Sequence, residues 1–313
     1  MNLNNLYEKD RVVLNVLDLF SGIGGFSYGL KKAGGFNTVA FCEIDEPCRK
    51  VLKKHWADIP IYEDVKLLNS ERIGSDGISV DVICGGFPCQ DISIAGKGAG
   101  LSGEKSGLWF EFYRLIEELK PRFAIVENVF AFRNRGLDCV LQDLASIGYD
   151  ATWTLYDSKY FGVPQRRRRI YILAVRDGIP ADSDVFEHQR RDRCNTTGTL
   201  NDYNERRKSD IAETGRIGKA IAYFTRQRSD EYAVTGLSST LTKRDYKSYT
   251  DLVVHADGTV RRVMPHERLR LQGYPDDYFD DLALTDTHKF KMNGMTSNVI
   301  KYIGERINET FQI

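Results

Sequence analysis

The residues best suited to chemistry begin with Gly85-Gly86-Phe87-Pro88-Cys89-Gln90. A single cysteine is commonly a small buried hydrophobe. Cys89 departs from that pattern because Pro, Gln and two Gly residues, none of them good core material, surround it. Pro88 fixes its own φ and biases Phe87 toward an extended shape, so the thiol sits on a stiffened turn. A thiolate there would be a nucleophile. A second candidate is Glu127, which closes the apolar run Pro121-Arg122-Phe123-Ala124-Ile125-Val126. Such a carboxyl either caps the next helix or acts as a proton donor whose pKa burial lifts. A third is Gln165-Arg166-Arg167-Arg168-Arg169, four arginines running into the strand Ile170-Tyr171-Ile172-Leu173-Ala174-Val175. Strand alternation sends Arg167 and Arg169 to one face and Arg166 and Arg168 to the other. A charge run is commonly a solvated edge, but this strand reads as buried, so at least one face must meet anionic or carbonyl partners.

These groups need a frame, and the hydrophobic pattern supplies one. Val80-Asp81-Val82-Ile83-Cys84 reads as a buried strand that delivers Cys89 to its C-terminal edge, where open α/β sheets place their chemistry. Further strands are expected at 12–20, 38–42, 59–65, 121–129 and 170–175, with helices at 27–32, 108–119, 137–147 and 297–308. In the 108–119 helix, Leu108, Phe110, Leu115 and Ile116 are the expected inward residues. The first strand runs into Ser21-Gly22-Ile23-Gly24-Gly25-Phe26, a strand–glycine turn–helix that allows a backbone to approach a nucleotide-like ligand, or is a plain turn. Glu43 ends the second strand, 25 positions after Asp18, where a carboxylate can grip ribose hydroxyls. Asp64 ends the third. The glycine-rich stretch 91–107 reads as a loop able to close over a substrate.

After Asp177-Gly178 the texture changes: Glu187 to Arg228 holds ten Lys/Arg and six Asp/Glu with few apolar runs. A domain boundary is expected near 178. The hydroxyl-rich segment 235–247 is suited to reading base edges and phosphates, though a surface loop would look much the same. The final helix, with Val299, Ile300, Ile303 and Ile307 at helical spacing, is expected to return to the first domain.

The bulk numbers set bounds. The chain has 313 residues, 42% hydrophobic and 28% charged, with 44 basic against 44 acidic residues. That suits one large domain or two and argues against a purely electrostatic nucleic-acid binder, leaving room for local basic patches. Six irregularly spaced cysteines without a C-x-x-C pair read as reduced thiols, and no Cys/His cluster has zinc spacing. There is no signal-peptide pattern and no apolar stretch of membrane-spanning length.

Taken together, the motifs resemble the cytosine-C5 DNA methyltransferases, nearly end to end. Asp18-Leu19-Phe20-Ser21-Gly22-Ile23-Gly24-Gly25-Phe26 is similar to the family's cofactor motif, and Gly86-Phe87-Pro88-Cys89-Gln90 to its catalytic one. Glu127-Asn128-Val129, Gln165 to Tyr171, and Arg262-Val263-Met264-Pro265-His266-Glu267-Arg268 with Leu271-Gln272-Gly273-Tyr274-Pro275 follow in the family's order. The resemblance implies an α/β, Rossmann-like S-adenosylmethionine-dependent methyltransferase fold with a mostly parallel sheet. It also implies a smaller, irregular target-recognition domain. The catalytic and cofactor domain would be 1–178, completed by 291–313, with 179–290 as recognition domain.

It implies S-adenosyl-L-methionine as cofactor, S-adenosyl-L-homocysteine as product, no metal, and double-stranded DNA as substrate. Cys89, Glu127, Arg167 and Arg169 would be catalytic. Phe20, Gly22, Ile23, Gly24, Gly25, Glu43, Ile44, Asp64, Val65, Pro88 and Asn293 would meet the cofactor. Gln90, Ser93, Lys97, Thr240, Lys243, Arg244 and Tyr246 would meet DNA. Met292 stands where the family has Gly, and Ala95 where some relatives carry a polar residue. A cytoplasmic monomer of a prokaryotic or phage-infected cell is expected, either solitary or paired with a separate restriction endonuclease that it does not bind. The tRNA-methylating branch of the fold carries a Cys-Phe-Thr tripeptide, absent here. A non-catalytic nucleic-acid-binding protein would not need Cys89, Glu127 and Arg169 together, and a nicotinamide dehydrogenase is the remaining, more distant alternative.

Overall fold

A computed structural model describes residues 12–88, 107–180, 185–186, 221–225, 232–235, 237–243, 245, 251–254, 259–292 and 294–313. Cys89, Gln90, Ser93, Lys97, Arg244, Tyr246 and Asn293 lie outside the described residues.

Seven strands build the main sheet: β1 (Leu14–Leu19), β2 (Phe36–Cys42), β3 (Ile61–Tyr62), β4 (Val82–Gly85), β5 (Phe123–Val129), β6 (Tyr149–Asp157) and β7 (Arg168–Arg176). Their spatial order is β3-β2-β1-β4-β5-β7-β6. The five from β3 to β5 are parallel; β7 runs antiparallel to both β5 and β6. The expected 59–65 strand shrinks to two residues at the sheet edge, where Pro60 withholds one backbone donor.

Alternation along the buried strands feeds two cores. On one face Leu17, Leu19, Ile83, Ala124, Val126, Ile170 and Ile172 pack with Trp109, Phe112, Leu115 and Ile116 of α4 (Gly107–Leu119) and with Val140 and Leu144 of α5 (Leu137–Ser146). Phe110 is exposed, which corrects the expectation for α4. Nearly every residue from 108 to 113 is apolar, so spacing alone left the inward face ambiguous; Leu108 and Phe110, two apart, cannot share it.

On the other face Leu14, Val16, Val82, Phe123, Ile125, Tyr171 and Leu173 meet Phe26 and Leu30 of α1 (Gly25–Ala33). The last helix, numbered α8 below (Ser297–Phe311), joins them with Val299, Ile300, Ile303 and Ile307, all fully buried. The helix at 297–311 therefore packs against the helix at 25–33.

Two charged helices the spacing did not announce are α2 (Glu46–His55) and α3 (Ser70–Ser75). A separate four-stranded antiparallel sheet has the order β11-β10-β8-β9, from β8 (Ile221–Thr225), β9 (Tyr232–Thr235), β10 (Asp251–Val254) and β11 (Val260–Arg262). After it come α6 (Pro265–Arg270) and α7 (Asp286–Lys291). Leu269, Tyr274, Tyr278, Phe279 and Met292 form a third cluster with Ile23, Cys48 and Val51. Met292 thus fills an apolar contact beside the glycine-rich turn.

Candidate active site

The sheet reverses its winding at β1, which lies between β2 and β4. In open α/β sheets the crevice outside the strand C-termini at such a point takes ligands. Two corners meet there.

The first corner is the turn after β1. Phe20 adopts φ +52°, a left-handed conformation uncommon for a non-glycine residue, and Gly24 follows at φ +84°. A Cβ on Gly24 would lie 2.6 Å from Trp56, so glycine is required there for space as well as for conformation. Gly24 N–H donates to Ser21 O at 2.8 Å, and Ser21 Oγ donates to Asp18 O at 2.5 Å. Glu43 ties this turn to the end of β2: Gly22 N–H donates to its Oε2 at 2.6 Å and Asp45 N–H to its Oε1 at 2.8 Å. Each carboxylate oxygen keeps a second lone pair for a ligand. Nothing lies within 4 Å of where a Cβ on Gly22 would stand, so the turn faces open space. Ile44 next door is 73% exposed, an apolar surface without protein cover.

The other residues assigned here fall in different settings. Asp64 is half-buried and accepts Lys66 N–H at 2.9 Å. Val65 is buried in the core beside α4, and its carbonyl takes an N–H from Arg114. Ile23 is buried, and its carbonyl accepts Tyr278 O–H at 2.7 Å. Gly25 leaves room for Tyr274 Oη and Met295, and Pro88 is exposed.

Sequence reasoning overlooked Asp18. The N-cap of α1, Gly24, has no side chain to offer, and Asp18 at the end of β1 replaces it. Its Oδ2 accepts from Ser27 N–H at 3.2 Å and Ser27 Oγ at 2.7 Å, while Oδ1 is buried without a hydrogen-bond partner among the described residues. Burial outweighs the Ser27 bonds and, with Glu43 nearby, lifts the carboxyl to about 7. An acid near the end of an otherwise apolar buried strand was the signal available.

The second corner joins β4, β5 and β7. The parallel register sets Gly85 beside Val126, so Gly86 faces Glu127. A Cβ on Gly86 would lie 2.8 Å from Glu127 Oε2; glycine is what admits the carboxylate. Glu127 is 8% exposed. Arg169 Nε stands 2.9 Å from its Oε1, and Arg167 Nη2 stands 4.0 Å from the same oxygen. Burial, with the charge of Arg169 beside it, pushes the Arg167 guanidinium down to about 10, against the pull of Glu127. Arg167 N–H donates to Asp157 Oδ1 at 3.1 Å, which fixes the chain as it enters β7. Asn128 Nδ2 donates to Phe87 O at 3.4 Å and so holds the segment that follows β4, two residues short of Cys89.

The described stretch from Leu237 to Lys243 is stitched to this corner. Ser238 N–H donates to Pro164 O at 2.7 Å, Arg166 N–H to Ser238 O at 2.8 Å, and Thr240 Oγ1 to Arg166 O at 2.7 Å. Lys243 is exposed. A buried ion pair unnoticed in the sequence clamps the far end: Arg268 Nη1 lies 2.9 Å from Asp245 Oδ2, and Thr242 donates to the same carboxylate through N–H and Oγ1. Burial alone would raise Asp245; the Thr242 and Arg268 hydrogen bonds win and hold it below the usual carboxylate range.

Cys42, Cys48 and Cys84 are buried free thiols, and burial pushes Cys42 up to about 12, so none of the three suits nucleophilic work. Among the described residues no three His, Cys, Asp or Glu side chains group as a metal site needs. No described helix is long and apolar enough to cross a membrane.

The chain is similar along 95% of its length to the type II methyltransferase M1.ScrFI of Lactococcus lactis subsp. cremoris, at 29% identity over 78% of that protein. It is 27% identical to the type II methyltransferase M.HhaI of Haemophilus parahaemolyticus, over 97% of each chain. In fold it matches the crystal structure of the S. pombe Dnmt2 methyltransferase with a TM-score of 0.72 at 17% identity, covering 95% of this chain and 98% of that one. A putative DNA modification methyltransferase encoded within an E. coli prophage matches with a TM-score of 0.64 at 20% identity, covering 96% and 100%. The family described as C-5 cytosine-specific DNA methylase matches residues 14–309, and over that span the chain belongs to it.

Proposed function

We propose that the chain is a DNA (cytosine-5-)-methyltransferase that uses S-adenosyl-L-methionine and a covalent bond between Cys89 and cytosine C6. The observation that carries this reading is the Glu127 carboxylate. It is buried, paired to Arg169 at 2.9 Å, and seated against Gly86, three residues before Cys89.

Cytosine C5 is too weakly nucleophilic to take a methyl group unaided. The Cys89 thiolate adds to C6, which places electron density on C5. Glu127 meets N3 and the exocyclic amine and stabilises the charge that builds on the ring; Arg169 meets O2, and Arg167 supports both. A guanidinium charge beside Cys89 would favour its thiolate. After C5 carries the methyl group it loses its proton, the C6–S bond breaks, and the thiolate leaves. The target carbon is hidden in a duplex, so the base turns out into the corner at a cost of about a few kcal/mol.

S-adenosyl-L-methionine supplies the electrophilic methyl group. The first corner suits it: the turn from Phe20 to Gly25 backs the open space, Glu43 offers its remaining lone pairs to ribose hydroxyls, and Ile44 offers an apolar wall. Asp64, Val65, Pro88 and Asn293 complete the set. Residues 179–290 would select the target, with Gln90, Ser93, Lys97, Thr240, Lys243, Arg244 and Tyr246 toward the DNA.

Duplex DNA containing 5-fluorocytosine tests the reading. The full chain with S-adenosylmethionine should form a covalent adduct stable to denaturant, and Cys89→Ser should form none. Bisulfite sequencing of a plasmid expressed with the chain would report the target site. Absence of both adduct and methylcytosine, or methyl transfer to tRNA but not duplex DNA, would reject it.

A further inference from the structure

The four arginines from 166 to 169 divide into two pairs. Arg167 and Arg169 turn inward, with side chains 11% and 13% exposed against Glu127. Arg166 is exposed and the Arg168 side chain is 68% exposed. Strand alternation makes that split, and the inward pair does not account for the outward one.

The outward pair occupies a particular place. β7 is antiparallel to β5, with Arg169 opposite Val129, so the connector between β6 and β7 leaves the sheet at the same edge as Glu127. Arg168 is paired across the ladder with Asp157, the last residue of β6. Asp157 is 9% exposed; its Oδ1 accepts N–H groups from Arg167 and Lys159, and Arg168 Nε lies 3.7 Å from its Oδ2, a loose pairing that leaves the guanidinium turned to solvent. Lys159 rests its ammonium 4.6 Å from the ring centre of Tyr160, itself 43% exposed. The backbone of Arg166 is pinned on both sides by Ser238 and Thr240, and the exposed Lys243 continues the same run. Cations thus gather along one rim, on fixed backbone, in a chain whose total charge is zero.

We infer that Arg166 and Arg168, with Lys159 beside them, form a strip that grips the phosphodiester backbone next to the everted nucleotide. Two strand spacings separate β5 from β6, about 10 Å, which is one to two nucleotides of backbone. The strip rests on the proposed reading of the site. It carries affinity without base selectivity, because phosphates are alike in every sequence.

The test measures binding of a labelled duplex of random sequence to the full chain by fluorescence anisotropy, from 50 to 200 mM salt, for wild type and for Arg166→Gln with Arg168→Gln. Each phosphate contact contributes about 0.9 to the slope of log affinity on log salt. The double variant should bind more weakly at low salt, with a slope shallower by about 1.8. Over that fourfold salt range its affinity should fall about 12-fold less than that of wild type. Affinity for S-adenosylhomocysteine should stay within about twofold, which excludes general misfolding. Arg168→Glu alone should weaken low-salt binding further than Arg168→Gln. An unchanged slope in the double variant, or equal binding by the two Arg168 variants, would overturn the strip and leave a solvated edge only. Adduct formation by wild type with 5-fluorocytosine DNA is read separately, so the strip can fail while the methyltransferase reading stands, or the reverse.

Discussion

The two corners on either side of β4 are made of different material. Around Gly22–Gly25 the chain presents backbone: one carboxylate, Glu43, ties two turns by accepting two main-chain N–H groups, and a left-handed glycine clears space. Around Glu127 it presents side-chain charge, with one acid and two guanidinium groups inside a nearly closed wall. A backbone cradle reads shape and is costly to mutate mainly through binding. A buried charge cluster acts on charge as it develops, and its loss is felt in rate.

Substitutions can break that contrast. Glu127→Gln should lower kcat by about 10²- to 10³-fold while S-adenosylhomocysteine affinity, read by calorimetry, moves less than about twofold; comparable losses in both would mean the corners are not separate. Glu43→Gln should do the opposite, weakening the cofactor by about tenfold with kcat at saturating cofactor nearly kept, since a charged acceptor is worth about 1.5 kcal/mol or more. Gly86→Ala sharpens the picture by moving one atom. Its Cβ would press on Glu127 Oε2, so kcat should fall by about five- to tenfold with thermal stability little changed. A variant as fast as wild type would show that the carboxylate has room to spare.

The remaining effect is a pH dependence. Asp18, raised from 3.8 to about 7, keeps its proton in the native state where the unfolded chain has lost it. Its contribution to stability is therefore full below about pH 4 and is lost as pH rises through about 7. The urea midpoint of wild type relative to Asp18→Asn should decline across that window; a constant difference would count against it.

The sequence was legible where one physical constraint dominates. Buried parallel strands must be apolar, so β1, β4 and β5 stood out, and glycine clusters marked the turns that leave them. Ile300, Ile303 and Ile307 announced α8 because one face of it is wholly inside. α2 stayed hidden since only Cys48, Val51 and Leu52 of its ten residues are buried. The alternation of the arginine run was readable, but the partner of its inward pair was not, because the contact between residue 127 and residue 169 depends on antiparallel register. Gly86 was legible as part of a turn; that it makes room for Glu127 is a fact of neighbouring strands. Arg268 and Asp245, 23 positions apart, meet only once the second sheet is in place.

The docking of α8 on α1 has a consequence for synthesis. Phe26 and Leu30 are made long before Val299, Ile300, Ile303 and Ile307, which cover them. Until then a growing polypeptide carries an uncovered greasy stripe and an unfinished first layer. Ribosome-bound chains halted before residue 297 should depend on chaperones and resist protease poorly, and activity should arise only after the Ser297–Phe311 helix has been made.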